Sequence, residues 1–484
     1  MVSYRKFVRD VGLIGTVQIL TSLGTFLLLP IITKTLGSYD YGLWAQINII
    51  VSLVSSLALM GLSAGFIRFL SAETEKKTIR EAVYSILFFV TISGFLASLL
   101  VYMFAEPLAI LVFKDPKATY FIQAGSALIF LSVVESISLF YFRVFRQIQK
   151  YSYFTLFETF GKLFLILILV KAGYGLLGVI VATILVQGSI LLISLVIMVS
   201  QIGFIIPRFT HIKEYLQFSL PLTPSSLVRW ITESSDRFLV NYFLGLGSAG
   251  VYSAAYSIGT LIQLLVTPLQ VILLPELSKL FDEDKLDQVK IYLSSSLRYF
   301  LLITIPAVFG LSALAKPLLG IFTTQDFLSG WLVIPIVALS GLLAGVFQIF
   351  VNIMFLVKET KSTTYINIIA AALNVLLNLL LIPYIGFIGA ALSTLISYFL
   401  MIVLCIYVSM KHFVFDYYYY DIAKSIFSSF AMYIFVSHFA ISNVYELFGI
   451  AAVGAFIYIF LMLIIGGFSK CELSAVIKYT SSRM

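Results

Sequence analysis

The chain has 484 residues, of which 61% are hydrophobic and only 11% charged, with a formal net charge of +8. Soluble domains carry about 25% charged residues, so a water-surrounded globule is excluded. The basic residues lie in short connections between apolar runs, where topogenic charge explains them, and no nucleic-acid partner is expected.

The start, Met1 to Asp10, is basic and leads into an apolar segment that is long for a signal peptide. It lacks a clear small-residue cleavage site, so it reads as a retained first span. Apolar stretches of roughly 20 residues then recur along the chain, each long enough to cross a bilayer as a helix. Backbone groups in lipid must be satisfied within the segment, which favours helices. A closed barrel would alternate polar and apolar residues, and runs such as Leu163–Val170 and Val375–Ile382 do not. The expected fold is all-α and polytopic, with about fourteen transmembrane helices. They fall at roughly 11–33, 43–67, 82–105, 120–142, 153–171, 176–200, 219–243, 250–275, 292–314, 330–356, 363–383, 388–410, 421–441 and 446–467.

Among basic residues flanking these spans, 22 belong to the N-terminus, the tail and the even-numbered connections. The other side holds only Lys34, Lys114, Lys117, Lys171 and Lys316. This bias predicts a multi-pass protein of the cell membrane with both termini cytoplasmic. The four tyrosines between Asp416 and Asp421 suit an interfacial aromatic anchor. Cys405, in an apolar run, and Cys471, in the tail, supply neither a disulfide framework nor a zinc site. The outer connections are short, so function is expected between the helices.

The chain also repeats itself. Leu36-Gly37, four residues, then Gly42-Leu43-Trp44-Ala45 returns as Leu244-Gly245, four residues, then Gly250-Val251-Tyr252-Ser253, at a spacing of 208. Gly175–Gly178 with Ala182–Leu185 returns as Gly386–Gly389 with Ser393–Ile396, at a spacing of 211. Two matches in order imply a repeat of about 210 residues and six spans. Six is even, so both copies enter from the same side, related by an axis along the membrane normal. The expected divisions are an N-terminal lobe at 1–217, a C-terminal lobe at 218–412, and two additional spans with a cytoplasmic tail at 413–484.

Charges inside a span are costly and usually face a cavity or a partner. The seventh span carries Arg229, Glu233, Asp236 and Arg237, with the first three on one stripe of the helix. Pro221 and Pro224 near its entrance permit a bend. The stripe is either a cavity wall offering Arg229 to an anionic headgroup or an internal pairing of Arg229 with Glu233 at i, i+4. Glu158 and Lys162 in the fifth span form a second such pair, either structural or part of a site. Glu135 in the fourth span has no partner in its own helix and must find one elsewhere or hold a proton. Arg298 is expected to snorkel to the cytoplasmic interface. Asn374 and Asn378 share a face suited to interhelical hydrogen bonds, Gln263 and Gln270 share another, and a lone His438 reads as structural. No Gly-Lys-Ser loop or His/Cys cluster is present in the sequence, so neither a cofactor, a metal nor an enzymatic activity is expected.

The segments Pro30–Ala45 (PIITKTLGSYDYGLWA), Ser235–Ile258 and Gly386–Thr394 (GFIGAALST) resemble polysaccharide-biosynthesis transporters of the Wzx type. That family lies within the superfamily that includes multidrug and toxin extrusion carriers. The resemblance covers the first twelve spans, and the last two by number alone. It implies two six-helix lobes and export of an isoprenoid-pyrophosphate-linked oligosaccharide through a polar, partly cationic cavity. It also implies Arg229 and Arg237 as phosphate-binding candidates. Coupling to H+ or Na+ would fall to Glu135, Glu158, Glu233 or Asp236. A drug or cation antiporter of the same superfamily and a flippase of the peptidoglycan precursor remain alternatives. A membrane glycosyltransferase or polymerase is a third, disfavoured by the short outer loops.

Overall fold

A computed structural model describes residues 4–467. Among them run seventeen α-helices, joined by short turns and without a strand. In chain order they are α1 (Tyr4–Ala58), α2 (Leu62–Leu70), α3 (Lys76–Met103), α4 (Ala105–Leu108), α5 (Ala118–Val144), α6 (Ile148–Leu169), α7 (Gly175–Ile202) and α8 (Ile212–Ser219). There follow α9 (Thr223–Gly259), α10 (Gln263–Asp282), α11 (Leu286–Ala313), α12 (Ala315–Phe322), α13 (Val333–Leu356), α14 (Thr360–Ile385), α15 (Phe387–Ser409), α16 (Tyr419–Ser437) and α17 (Val444–Ile464). The protein is an all-α, polytopic membrane protein.

Ten helical segments among the described residues are long and apolar enough to cross a bilayer. Three of them, Gly12–Ala58, Ile148–Ile202 and Ile212–Thr267, have 47, 55 and 56 residues. A single span needs about 20 residues, so each of these has the length of two. Each also carries an interruption. The backbone turns at Gly37 (φ 76°, ψ −179°) and again at Gly245 (φ 82°, ψ 174°). Between α6 and α7 the turn uses Gly173 (φ 90°) and Gly175 (φ 53°). A side chain would clash with its own backbone at these φ values, which is why glycine occupies them. The 19-residue α16 is a further helix outside the ten.

The chain divides into two compact units. One comprises residues 1–254 with 371–393, the other 255–370 with 394–484, so the boundaries run inside α9, α14 and α15. The first unit has two apolar cores, one around Phe66, Ile86, Phe142 and Ile190 and one around Leu43, Ile129, Ile166 and Ile180. The second is built on Leu277, Leu293, Ile349, Ile353 and their neighbours.

In the second unit α11 packs against α16 and α17. Arg298 does not snorkel outward as expected; it is only 9% exposed. Its Nε donates to Asp421 Oδ2 at 2.6 Å and its Nη2 to the carbonyl of Gly467 at 3.2 Å, while the Tyr418 ring lies 5.2 Å from the guanidinium. The tyrosine run therefore ends in a partly buried ion pair, although Tyr419 and Tyr420 are exposed as an anchor requires. Beside this pair, an apolar cavity of about 530 Å³ is lined by Tyr299, Pro306, Gly310, Met432, Gly454 and Tyr458, among others.

Candidate functional site

Pro221 lies in a 3-10 turn, Leu220–Leu222, and Pro224 in the first turn of α9. Neither position needs a backbone N–H, so the prolines start the helix without breaking it. One and a half turns further, Arg229 is exposed, and so is Glu233. The two charges act on one another electrostatically without closing to an ion pair. The internal pairing considered from sequence is not made.

The next turn is buried. Asp236 is 1% exposed; its Oδ2 accepts from the Tyr252 hydroxyl at 2.6 Å and its Oδ1 from the backbone N–H of Arg237 at 2.7 Å. The Arg237 guanidinium stands 3.8 Å from the same carboxylate and also donates to the Glu233 carbonyl. Ser235 donates to Asn374 Oδ1 at 3.3 Å, and Asn378 Nδ2 donates to the same oxygen at 2.9 Å. The shared face of Asn374 and Asn378 thus makes the interhelical contact expected of it, between α9 and α14. From α1, Gln46 donates to the Arg237 carbonyl at 2.7 Å, and Ser52 accepts from Trp230 Nε1 at 3.1 Å.

The two copies of the repeated glycine motif meet beside this group. A Cβ at Gly42 would run into the carbonyl of Leu246, and one at Gly250 into the carbonyl of Ser38. Residues 38 and 42 are the repeat partners of 246 and 250, so the contact is reciprocal, as a two-fold axis requires. Glycine lets the helices approach backbone to backbone, a mode of packing well suited to lipid.

A second polar group lies between α5 and α6. Glu158 and Lys162 form the expected ion pair at 2.6 Å. Glu135 is 4% exposed, its Oε1 has no hydrogen-bond partner, and the charges on it come from Glu158 and Lys162. The predicted site residues therefore sort into two sets. Arg229, Glu233, Asp236, Arg237, Asn374 and Asn378 gather on α9 and α14, and Glu135, Glu158 and Lys162 on α5 and α6. Tyr252, Gln46 and Ser235 were missed. Tyr252 and Gln46 carried a signal, since both are polar groups just inside or after the repeated motif. His438 only bonds its own helix, through Nδ1 and the Ile434 carbonyl at 2.9 Å. Cys471 and the side chain of Gln270 lie outside the described residues.

A sequence model of the family described as polysaccharide biosynthesis protein matches residues 31–332, more than half of the chain. The chain belongs to this family. Among its relatives, the succinoglycan biosynthesis transport protein ExoT of Rhizobium meliloti is 26% identical over 351 residues, 70% of this chain and 67% of ExoT. The probable low-salt glycan biosynthesis flippase Agl15 of Haloferax volcanii is 23% identical over 192 residues, 40% of this chain and 41% of its own length. In fold, the chain is similar to lipid II flippase MurJ in an inward closed conformation, with a TM-score of 0.77 at 18% identity, over 94% of this chain and 98% of MurJ. These relatives are named as a transport protein or flippases, and the chain is a membrane transporter of polysaccharide biosynthesis.

Proposed function

We propose that this transporter flips an isoprenoid-pyrophosphate-linked oligosaccharide across the cell membrane by alternating access, driven by a gradient of H+ or Na+. Arg229 carries the reading: it is an exposed guanidinium within a membrane-length segment, without an ion pair among the described residues. A charge in that setting is retained for a partner, and pyrophosphate oxygens match the planar fork of arginine. A pyrophosphate and its sugars do not cross hydrocarbon unaided, so the cargo requires such a group. Glu233, Asp236 and Arg237 complete the polar wall, with Asn374 and Asn378 behind it. The names of ExoT and Agl15 support glycan cargo.

The same reading places two six-span lobes at 1–217 and 218–412, two added spans after 413, and cytoplasmic termini. Dividing the three double-length segments at their glycines and adding α16 brings the ten segments to fourteen. The test is reconstitution of the purified chain in vesicles, with loss of accessible lipid-linked oligosaccharide from one leaflet as the readout. A chain that moves organic cations but leaves the glycolipid where it began would sink this reading in favour of a drug antiporter.

A further inference from the structure

The connection from α7 to α8, residues 203–211, runs alongside the first turns of α3. The Gly203 carbonyl accepts from the Tyr84 hydroxyl at 2.9 Å, and the backbone N–H of Arg208 donates to Glu81 Oε1 at 2.7 Å. The rings of Phe204 and Tyr84 meet at 5.5 Å, and those of Phe209 and Phe88 at 5.2 Å. Glu81, Tyr84 and Phe88 follow at i, i+3 and i+7, so one face of α3 carries the connection. Ile205 packs into the core around Phe66 and Ile86, while its neighbours face away. Phe204 is 68% exposed, Ile206 81%, and Arg208 is exposed after them. Two large apolar groups and then a cation are presented outward.

The depth of this surface follows from α3. From Ala82 to Met103 that helix has no charged residue, so the hydrocarbon boundary falls near Glu81. Phe204, beside Tyr84, lies just inside the boundary, and the backbone of Arg208 lies at it. Lys76, Lys77 and Arg80 lie on the headgroup side, within about 8 Å along the helix. Arg80 also reaches the connection, its guanidinium standing 3.4 Å from where a Cβ on Gly203 would lie. None of these four cations forms an ion pair among the described residues, and Arg80 Nε is buried without a hydrogen-bond partner. The neighbouring carboxylates are held by neutral donors. Glu81 accepts from the Arg208 N–H and the Ser85 hydroxyl, Glu73 from the N–H groups of Thr74 and Glu75, and Glu75 from the Thr78 hydroxyl.

We propose that this surface binds an acidic glycerophospholipid, its phosphate between Arg80 and Arg208 and its acyl chains along Phe204 and Ile206. Charge selects the class. A zwitterionic lipid brings its own cation to a cationic site, whereas an acidic one supplies the missing negative charge, at about fivefold in binding per basic residue. The bound lipid ties the connection, and with it α8 and the start of α9, to the membrane surface. The site is independent of the cargo that the transporter carries.

The test uses the full chain in phosphatidylcholine vesicles that contain a minority of phosphatidylglycerol brominated on its acyl chains. Ile206→Trp is the reporter, at a side chain exposed enough to accept the ring, and its emission is read as the difference from the parent chain with its three tryptophans. Quenching should exceed that given by the same fraction of brominated phosphatidylcholine, and raised salt should reduce the excess. Arg80→Gln and Arg208→Gln, each added to the reporter, should lower the preference about fivefold. Equal quenching by the two lipids, or a preference indifferent to both substitutions, overturns the proposal.

Folding is checked by melting in phosphatidylcholine alone. Arg208→Gln keeps the backbone N–H that bonds Glu81, so it should melt with its parent, and it decides the matter if Arg80→Gln does not fold. A further arm separates the lipid from a soluble anion. Inorganic phosphate should reduce the excess quenching no more than chloride does at equal ionic strength. A specific loss to phosphate would assign the arginines to a free anion and overturn the lipid site.

Discussion

Arg229 and Glu233 stand one helical turn apart on α9, exposed and unpaired, while Asp236 one turn further is enclosed by Tyr252 and Arg237. The contrast separates groups available to a substrate from groups held in place. Arg229→Ala should abolish flipping and leave lipid-linked oligosaccharide on the cytoplasmic face, whereas Arg229→Lys should retain part of the rate as a point charge. Exchanging the charges, Arg229→Glu with Glu233→Arg, should not restore transport, because the cation moves by a helical turn. Full rescue by the exchange would make the pair scaffolding. Tyr252→Phe is a milder test at the same scale. It takes the donor from Asp236 Oδ2 and leaves a buried carboxylate oxygen short of a partner, at a cost of about 1–3 kcal/mol. Thermal unfolding should register that loss, and an unchanged melting temperature would show that Asp236 does not depend on Tyr252.

Helices announce themselves in this chain because each must satisfy its own backbone in lipid, so length and hydropathy alone locate them. Their interruptions were less legible. The glycine pair at 37 and 245 was visible as a repeated motif, but its left-handed backbone was not, and the break at Met60–Gly61 within the expected second span went unseen. There Gly61 (φ 68°) turns beside the carbonyl of Ser219, a contact from another helix that no local pattern encodes. The site shows the same division. Pairs at i, i+4 such as Glu158 with Lys162 were readable, while Gln46 on Arg237 spans 191 positions. Arg298 was misjudged for the same reason, since its partner Asp421 lies 123 positions away. Arg298→Ala leaves that carboxylate with Lys424 at 3.8 Å as its remaining cation. Breaking a fully buried pair from one side costs about 3–5 kcal/mol; this pair is partly buried and Asp421 keeps Lys424, so the variant should melt below the wild type by less than that full penalty implies. The reciprocal glycine contact gives a second test between elements. Gly42→Ala and Gly250→Ala each push a methyl against a backbone carbonyl, and overpacking of this kind costs about 1–3 kcal/mol. The repeat relation requires the two variants to suffer alike, and a silent Gly42→Ala would show that the close approach is not maintained in the membrane.

At the scale of the molecule, contacts within the first unit bring several connections together at one end of its helices. Lys114, between α4 and α5, donates to the carbonyl of Tyr242 at 2.9 Å, and Asn241 donates to the carbonyl of Val112 at 3.2 Å. The break at Gly245 therefore lies at the same membrane face as the connection around Lys114. The contact of Gly42 with Leu246 brings the break at Gly37 to that face as well. Two repeats running in the same sense through the bilayer would put their equivalent breaks at one face, and we propose that parallel relation for the six-span units. The sign of the face follows from charge. In the sequence, Lys34, Lys114, Lys117, Lys171 and Lys316 belong to one set of connections, against 22 basic residues in the other. We propose that the basic side is the cytoplasmic one. Reporter fusions after Lys114 and Lys316 should accordingly mark the outside, and fusions after Lys76 and Lys285 the inside. The pair 114 and 316 carries the most weight, because the two positions belong to different repeats. Agreement between them with reversed sign would invert the orientation and keep the parallel repeat. Opposite signs at 114 and 316 would defeat the parallel repeat itself and, with it, the count of fourteen crossings.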